Sequence, residues 1–75
     1  MVKVTVGNNL KQKDVVVPQT TTLYDVLTQN GIPTNTGFIQ LNGQTIDLDE
    51  LDSTFEDFGI TDSCLLVSVA KASNG

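Results

Sequence analysis

The sequence predicts an α+β domain of ββαββ order, in which a mixed sheet of four to five strands carries one helix packed on one face. Three observations predict it. The N-terminal residues alternate as a strand and return as a second one, a single amphipathic helical segment follows, and an apolar strand led by a short helical turn closes the pattern.

Val2, Val4 and Val6 alternate with Lys3 and Thr5, and Val15 and Val17 flank Val16 after a polar gap, so two half-buried strands are expected. Gly7-Asn8-Asn9 tolerates positive φ and joins them as a hairpin whose turn type stays open, and Pro18 ends the second strand. Thr20, Thr21 and Thr22 offer N-cap hydroxyls, with Thr22 and Asp25 spaced like a capping box. Leu23, Val26 and Leu27 then share one face of a helix two to three turns long, which Gly31 and Pro33 stop. Phe38–Leu41 and Gln44–Ile46 read as short strands around the tight-turn dipeptide Asn42-Gly43. Leu48 and Leu51 are expected to turn inward from an acidic connection, and Thr54–Ile60 forms a helical turn with a Gly exit. In the last strand Leu65, Val67 and Val69 share one face, and Cys64, Leu66 and Ser68 the other. That strand is expected to be central and parallel to the first. Residues 1–70 are read as one domain and 71–75 as a flexible C-terminal tail.

Seventy-five residues can bury only about 60% of the surface of the unfolded chain, so one compact core is expected and a large enzyme cleft is not. The four lysines face nine carboxylates, with no arginine, for a formal charge of −5. Such a surface repels nucleic acid and anionic membranes, and no apolar run is long enough for a membrane span, so a cytoplasmic monomer is expected. Histidine is absent, which excludes Ser-His and Cys-His catalysis within the chain, and no cofactor is expected. Cys64 has no partner cysteine, and its neighbours Asp62, Ser63 and Leu65 supply no cation to activate it. The run Asp47-Leu48-Asp49-Glu50-Leu51-Asp52 lacks the third ligand, the Gly and the distal Glu of a calcium loop and reads as a solvated connection. No catalytic or metal site is expected.

The order of elements, with Ser53-Thr54-Phe55-Glu56-Asp57-Phe58-Gly59-Ile60 leading into the last strand and Ile32-Pro33 after the helix, resembles the ubiquitin-like β-grasp superfamily. Leu41-Asn42-Gly43-Gln44 with the carboxylates after it is equally similar to the small sulfur carriers of that superfamily. The resemblance implies two places for function. One is the C-terminus, where carriers and modifiers end in Gly-Gly; here only Gly75 matches, because Asn74 precedes it. The other is the exposed sheet face, where the resemblance puts the patch positions at Gln40 and Ser68, both polar here. Phe38 and Leu66 remain as its apolar residues, with Val16, Cys64, Lys3 and Thr5 alongside. The expected function is therefore a non-catalytic interaction or accessory module contacting a protein partner through Phe38, Gln40, Leu66 and Ser68. The alternative is a modifier or sulfur carrier activated at Gly75.

Overall fold

A computed structural model describes residues 1–8 and 10–70 of the chain. Five strands, β1 (Val2–Asn8), β2 (Gln12–Val17), β3 (Gly37–Leu41), β4 (Gln44–Ile46) and β5 (Ser63–Ala70), form one sheet in the order β2-β1-β5-β3-β4. β5 is central and runs parallel to β1, while the β1–β2, β3–β5 and β3–β4 pairs are antiparallel. Helix α1 (Leu23–Gln29) lies on one face.

The two backbones of the hairpin come close where β1 meets its turn. A Cβ on Gly7 would overlap the Lys11 carbonyl oxygen, so only Gly lets the two backbones approach there. Asn8 Oδ1 then accepts from the Leu10 and Lys11 N–H groups at 2.8 and 2.9 Å, closing an Asx-type turn.

Helix α1 is only seven residues long, so its stability comes from its ends and from the face it buries. Thr22 Oγ1 accepts the Asp25 N–H at 3.1 Å. At the other end the Ile32 N–H donates to Leu27 O at 2.8 Å and the Gly31 N–H to Thr28 O at 3.1 Å, with Gly31 at φ 72°. Those two bonds make a Schellman motif. Leu23, Val26 and Leu27 are fully buried, each contributing about 1.5–3 kcal/mol of apolar transfer against the sheet.

The same device recurs before the last strand. Thr54 and Asp57 exchange N–H bonds with each other's side chains at 3.0 and 3.1 Å, Ile60 N–H reaches Phe55 O at 2.9 Å, and Gly59 sits at φ 72°. One capped turn therefore plants Phe55, which is fully buried. The regular helical element in this stretch lies earlier than expected, as a 3₁₀ helix at Leu48–Asp52. There Leu51 is buried, but Leu48 is 60% exposed, because a single short turn has room to point only one of the two inward. Thr22 and Thr54 bridge their segments, and Gln19 Nε2 donates to Ile60 O at 2.9 Å, tying the approach to α1 against the approach to β5.

The core is one cluster between the helix and the inner sheet face: Val2, Val4 and Val6 from β1, Ile39 and Leu41 from β3, Cys64 and Leu66 from β5, with Phe55 and the helix residues. Among the described residues no helix is long and apolar enough to cross a membrane.

Candidate functional site

The outer face of the sheet, opposite α1, is fixed by register. Side chains of directly paired residues point to the same side. Val4 pairs with Cys64 and Val6 with Leu66, all four buried, so Cys64 and Leu66 belong to the helix side. Thr5 pairs with Leu65, Gly7 with Val67, Gln40 with Val67 and Phe38 with Val69, so Leu65, Val67 and Val69 face outward.

This corrects two of the four expected contact residues. Leu66 is completely buried in the core and cannot contact a partner. Ser68 is 8% exposed and lies on the inner side at the end of the sheet, paired with Asn8 and Ile39 and close to Ile32 and Pro33. Phe38 and Gln40 do lie on the outer face, Phe38 at 48% exposure. The patch position opposite Gln40 is accordingly Val67 and the one beside Phe38 is Val69, so the face is more apolar than its expected pair, Gln40 and Ser68. Cys64 likewise leaves the outer face for the inner one, whereas Val16, Lys3 and Thr5 stay on it.

The physical reason for the misplacement is that β5 is central, paired on both edges, and apolar on both faces. Leu65-Val67-Val69 is the more aliphatic of its two stripes and so reads as the buried one. Only pairing with the unambiguous stripe Val2-Val4-Val6 settles the parity. Val67 is itself only 6% exposed although it stands outside the core cluster, flanked by Gly7 and Gln40.

Among the described strand residues, charge on this face is confined to one pair. Lys3 Nζ lies 3.6 Å from Asp14 Oδ2, and Thr5 Oγ1 donates to Asp14 Oδ1 at 2.7 Å. The Thr5 hydrogen bond, followed by the Lys3 charge, holds the Asp14 carboxyl below its ordinary range. The other outward residues of the five strands are Gln12, Val16, Ser63, Leu65, Val67, Val69, Phe38, Gln40 and Thr45, none of them ionisable. A chain of formal charge −5 thus keeps one broad face neutral, with an apolar strip of Leu65, Val67, Val69 and Phe38 across its middle strands.

Asn42 links this strip to the β3–β4 turn. With φ 53° at Asn42 and 84° at Gly43 the dipeptide occupies the two central positions of a type I′ turn. The Asn42 N–H donates to Leu65 O at 2.8 Å, and Asn42 Oδ1 accepts the Leu65 N–H at 2.9 Å. The turn signal was legible; its two hydrogen bonds to the central strand were not, because the two residues are far apart in sequence.

The remaining candidates resolve into structural roles. Glu50 Oε1 accepts the Asp47 N–H at 3.0 Å, so one carboxylate of the acidic run caps its own 3₁₀ turn. The Cys64 thiol is buried, and desolvation pushes its pKa up to about 11 from 9.0, the reverse of what an activated nucleophile needs. Gly75 and the expected tail, 71–75, lie outside the described residues.

Neither a protein-family model nor a curated protein matches this sequence. Solved structures do match its shape. One, named Caldiarchaeum subterraneum ubiquitin, aligns at a TM-score of 0.66 and 16% identity over 99% of this chain and 98% of its own. A second, a ubiquitin-like protein from the hyperthermophilic archaeon Caldiarchaeum subterraneum, aligns at 0.52 and 17% identity over 97% of both chains. A likeness at that identity speaks for architecture, and with the sheet order and helix placement above it establishes that this chain has the ubiquitin-like β-grasp fold.

Proposed function

We propose that this protein is a non-catalytic interaction module that binds a protein partner through the outer face of its sheet, with Phe38, Leu65 and Val69 at the centre over the buried Val67, and Gln40 beside them. The observation that carries the proposal is the charge-free apolar strip on an otherwise acidic molecule. Cores of protein interfaces are depleted of charge and enriched in aromatic and aliphatic contact, and here, among the described strand residues, the ionic groups of the face are Lys3 and Asp14, which neutralise each other at its margin. Partner association at such a strip leaves the Lys3–Asp14 pair at the rim, where an ion pair adds little affinity and mostly sets orientation.

The experiment is capture of partners from the native host with the intact protein and with Phe38→Ser/Leu65→Ser, whose fold is checked by circular dichroism. The partners held by the intact protein are lost with the double variant, and retention at equal yield would refute the face.

A second reading, a modifier or sulfur carrier activated at Gly75, is favoured by the fold shared with a protein named ubiquitin. It requires that a cognate activating enzyme adenylate the C-terminal carboxylate. An assay of ATP-dependent pyrophosphate exchange separates the readings: activity that disappears on deleting Gly75 supports the carrier, and its absence with every activating enzyme of the host refutes it.

A further inference from the structure

Charge is unevenly placed on this molecule. The C-terminus of α1 and the β1–β2 hairpin enclose an open cleft of about 240 Å³, lined by Val6, Lys11, Lys13, Asn30 and Ile32 and otherwise by uncharged residues. Lys13 pairs with the buried Val6, which puts it on the helix side of the sheet, and Lys11 joins it in the lining. The cleft thus holds two of the three described lysines and none of the nine carboxylates. Among the described residues neither lysine has a carboxylate at ion-pair distance. The carbonyl end of α1 does not neutralise them, because it carries only a fraction of a charge and Leu27 O and Thr28 O are taken by the Schellman bonds.

A surface of the opposite character lies on the same chain. Leu48, 60% exposed, stands between the exposed Asp47 and Asp49, with Glu50 after them. One chain cannot bring the two surfaces together. β2 and β4 are the opposite edges of the sheet, four strand spacings or about 19 Å apart. Ser53, which ends the acidic 3₁₀ turn, accepts the Leu23 N–H at 3.2 Å at the end of α1 opposite Asn30.

We propose that the cleft is a docking site for the Asp47–Glu50 turn of a second copy of this chain, with Leu48 over Val6 and Ile32 and its flanking carboxylates toward Lys11 and Lys13. Two different surfaces meet, so the contact is heterologous. Because they lie at opposite edges, two copies cannot satisfy both contacts at once, and association extends head to tail. One turn in one cleft is a small, transient kind of interface, and exposed ion pairs orient it more than they strengthen it. The dilute protein is therefore the monomer expected from its composition. The outer sheet face takes no part, so this inference is independent of the partner-binding reading.

The test is sedimentation equilibrium from micromolar to millimolar protein at about 0.15 M salt, where long-range repulsion between copies is screened. The average mass of the intact protein rises past the dimer. Lys11→Glu/Lys13→Glu removes the cleft and Leu48→Ser/Asp49→Asn removes the turn; all four positions are exposed, and circular dichroism checks each fold. Each variant alone associates at least about tenfold more weakly than the intact protein. Mixed in equal amounts, the two variants form a dimer and nothing larger, because one intact turn meets one intact cleft. In NMR spectra of increasingly concentrated intact protein the amides of Lys13, Asn30 and Leu48 shift and that of Leu65 does not. An intact protein that stays monomeric across the range, or stops at the dimer, would overturn the proposal. So would a mixture no more associated than its components, or shifts at Leu65 with none at Leu48.

Discussion

Leu65 and Leu66 are chemically identical neighbours that the fold assigns to opposite faces, and truncating each to alanine separates the two assignments by energy. Leu66 is fully buried on the central strand, paired to Val6 and Leu41, which are buried as well. Its neighbours are held by two strands within the one core cluster, so the site collapses poorly, and Leu66→Ala is expected to cost about 3–4 kcal/mol through lost transfer energy and a retained cavity. Leu65 is 36% exposed, and water fills the space its truncation leaves, so Leu65→Ala is expected to cost about 1 kcal/mol. A domain of 75 residues has roughly 4–11 kcal/mol of stability in all, so the first variant is marginally folded and the second is sound. Urea unfolding followed by far-ultraviolet circular dichroism reads the difference. With a slope of about 1 kcal/mol/M, Leu66→Ala moves the midpoint down by roughly 3 M and Leu65→Ala by roughly 1 M. A Leu65→Ala loss equal to or larger than that of Leu66→Ala would refute the register, and with it the choice of outer face.

Other expectations follow from individual contacts. Gly31→Ala and Gly59→Ala meet no neighbouring atoms but force a Cβ into φ near 72°, so each costs about 1–2 kcal/mol in thermal or urea unfolding; Gly37→Ala, whose Cβ would overlap Val69 O, costs more. Asp14 owes its lowered pKa first to Thr5, so a carboxylate titration followed by NMR moves upward in Thr5→Val. Because the folded pKa lies below the unfolded one, this contribution to stability is present above the unfolded value and is lost as the pH falls through the folded one. Cys64 works in the other direction. The unfolded thiol ionises near 9.0 and the folded one near 11, so the unfolded state releases its proton first and stability declines between those pH values. Unfolding measured across that window shows the decline in the intact protein and less of it in Cys64→Val.

How far the sequence could be read is clearest at particular residues. The helix was legible in full because its signals are local: Thr22 before Leu23, Gly31 and Ile32 after Gln29, and an apolar face at the right spacing. The Asn42-Gly43 turn was legible for the same reason. The outer face was half legible. Phe38 and Gln40 belong to β3, where the inward residues Ile39 and Leu41 leave no ambiguity, but β5 is apolar on both sides and its parity is set only by which residue of β1 it meets. Leu48 and Leu51 show the same limit on a smaller scale, since a single 3₁₀ turn buries one of the two and no periodicity says which. Long-range hydrogen bonds such as Asn42 to Leu65 and Gln19 to Ile60 leave no trace in local pattern.

Photo-crosslinking from single sites tests the proposed partner-binding face most directly. A benzophenone amino acid placed at Phe38, on the outer face, and at Tyr24, exposed on the helix side, reports which surface a host partner covers. The account predicts a defined crosslinked species from position 38 that is absent from position 24 and disappears when Leu65→Ser is added. Crosslinks from position 24 with none from position 38 would contradict it.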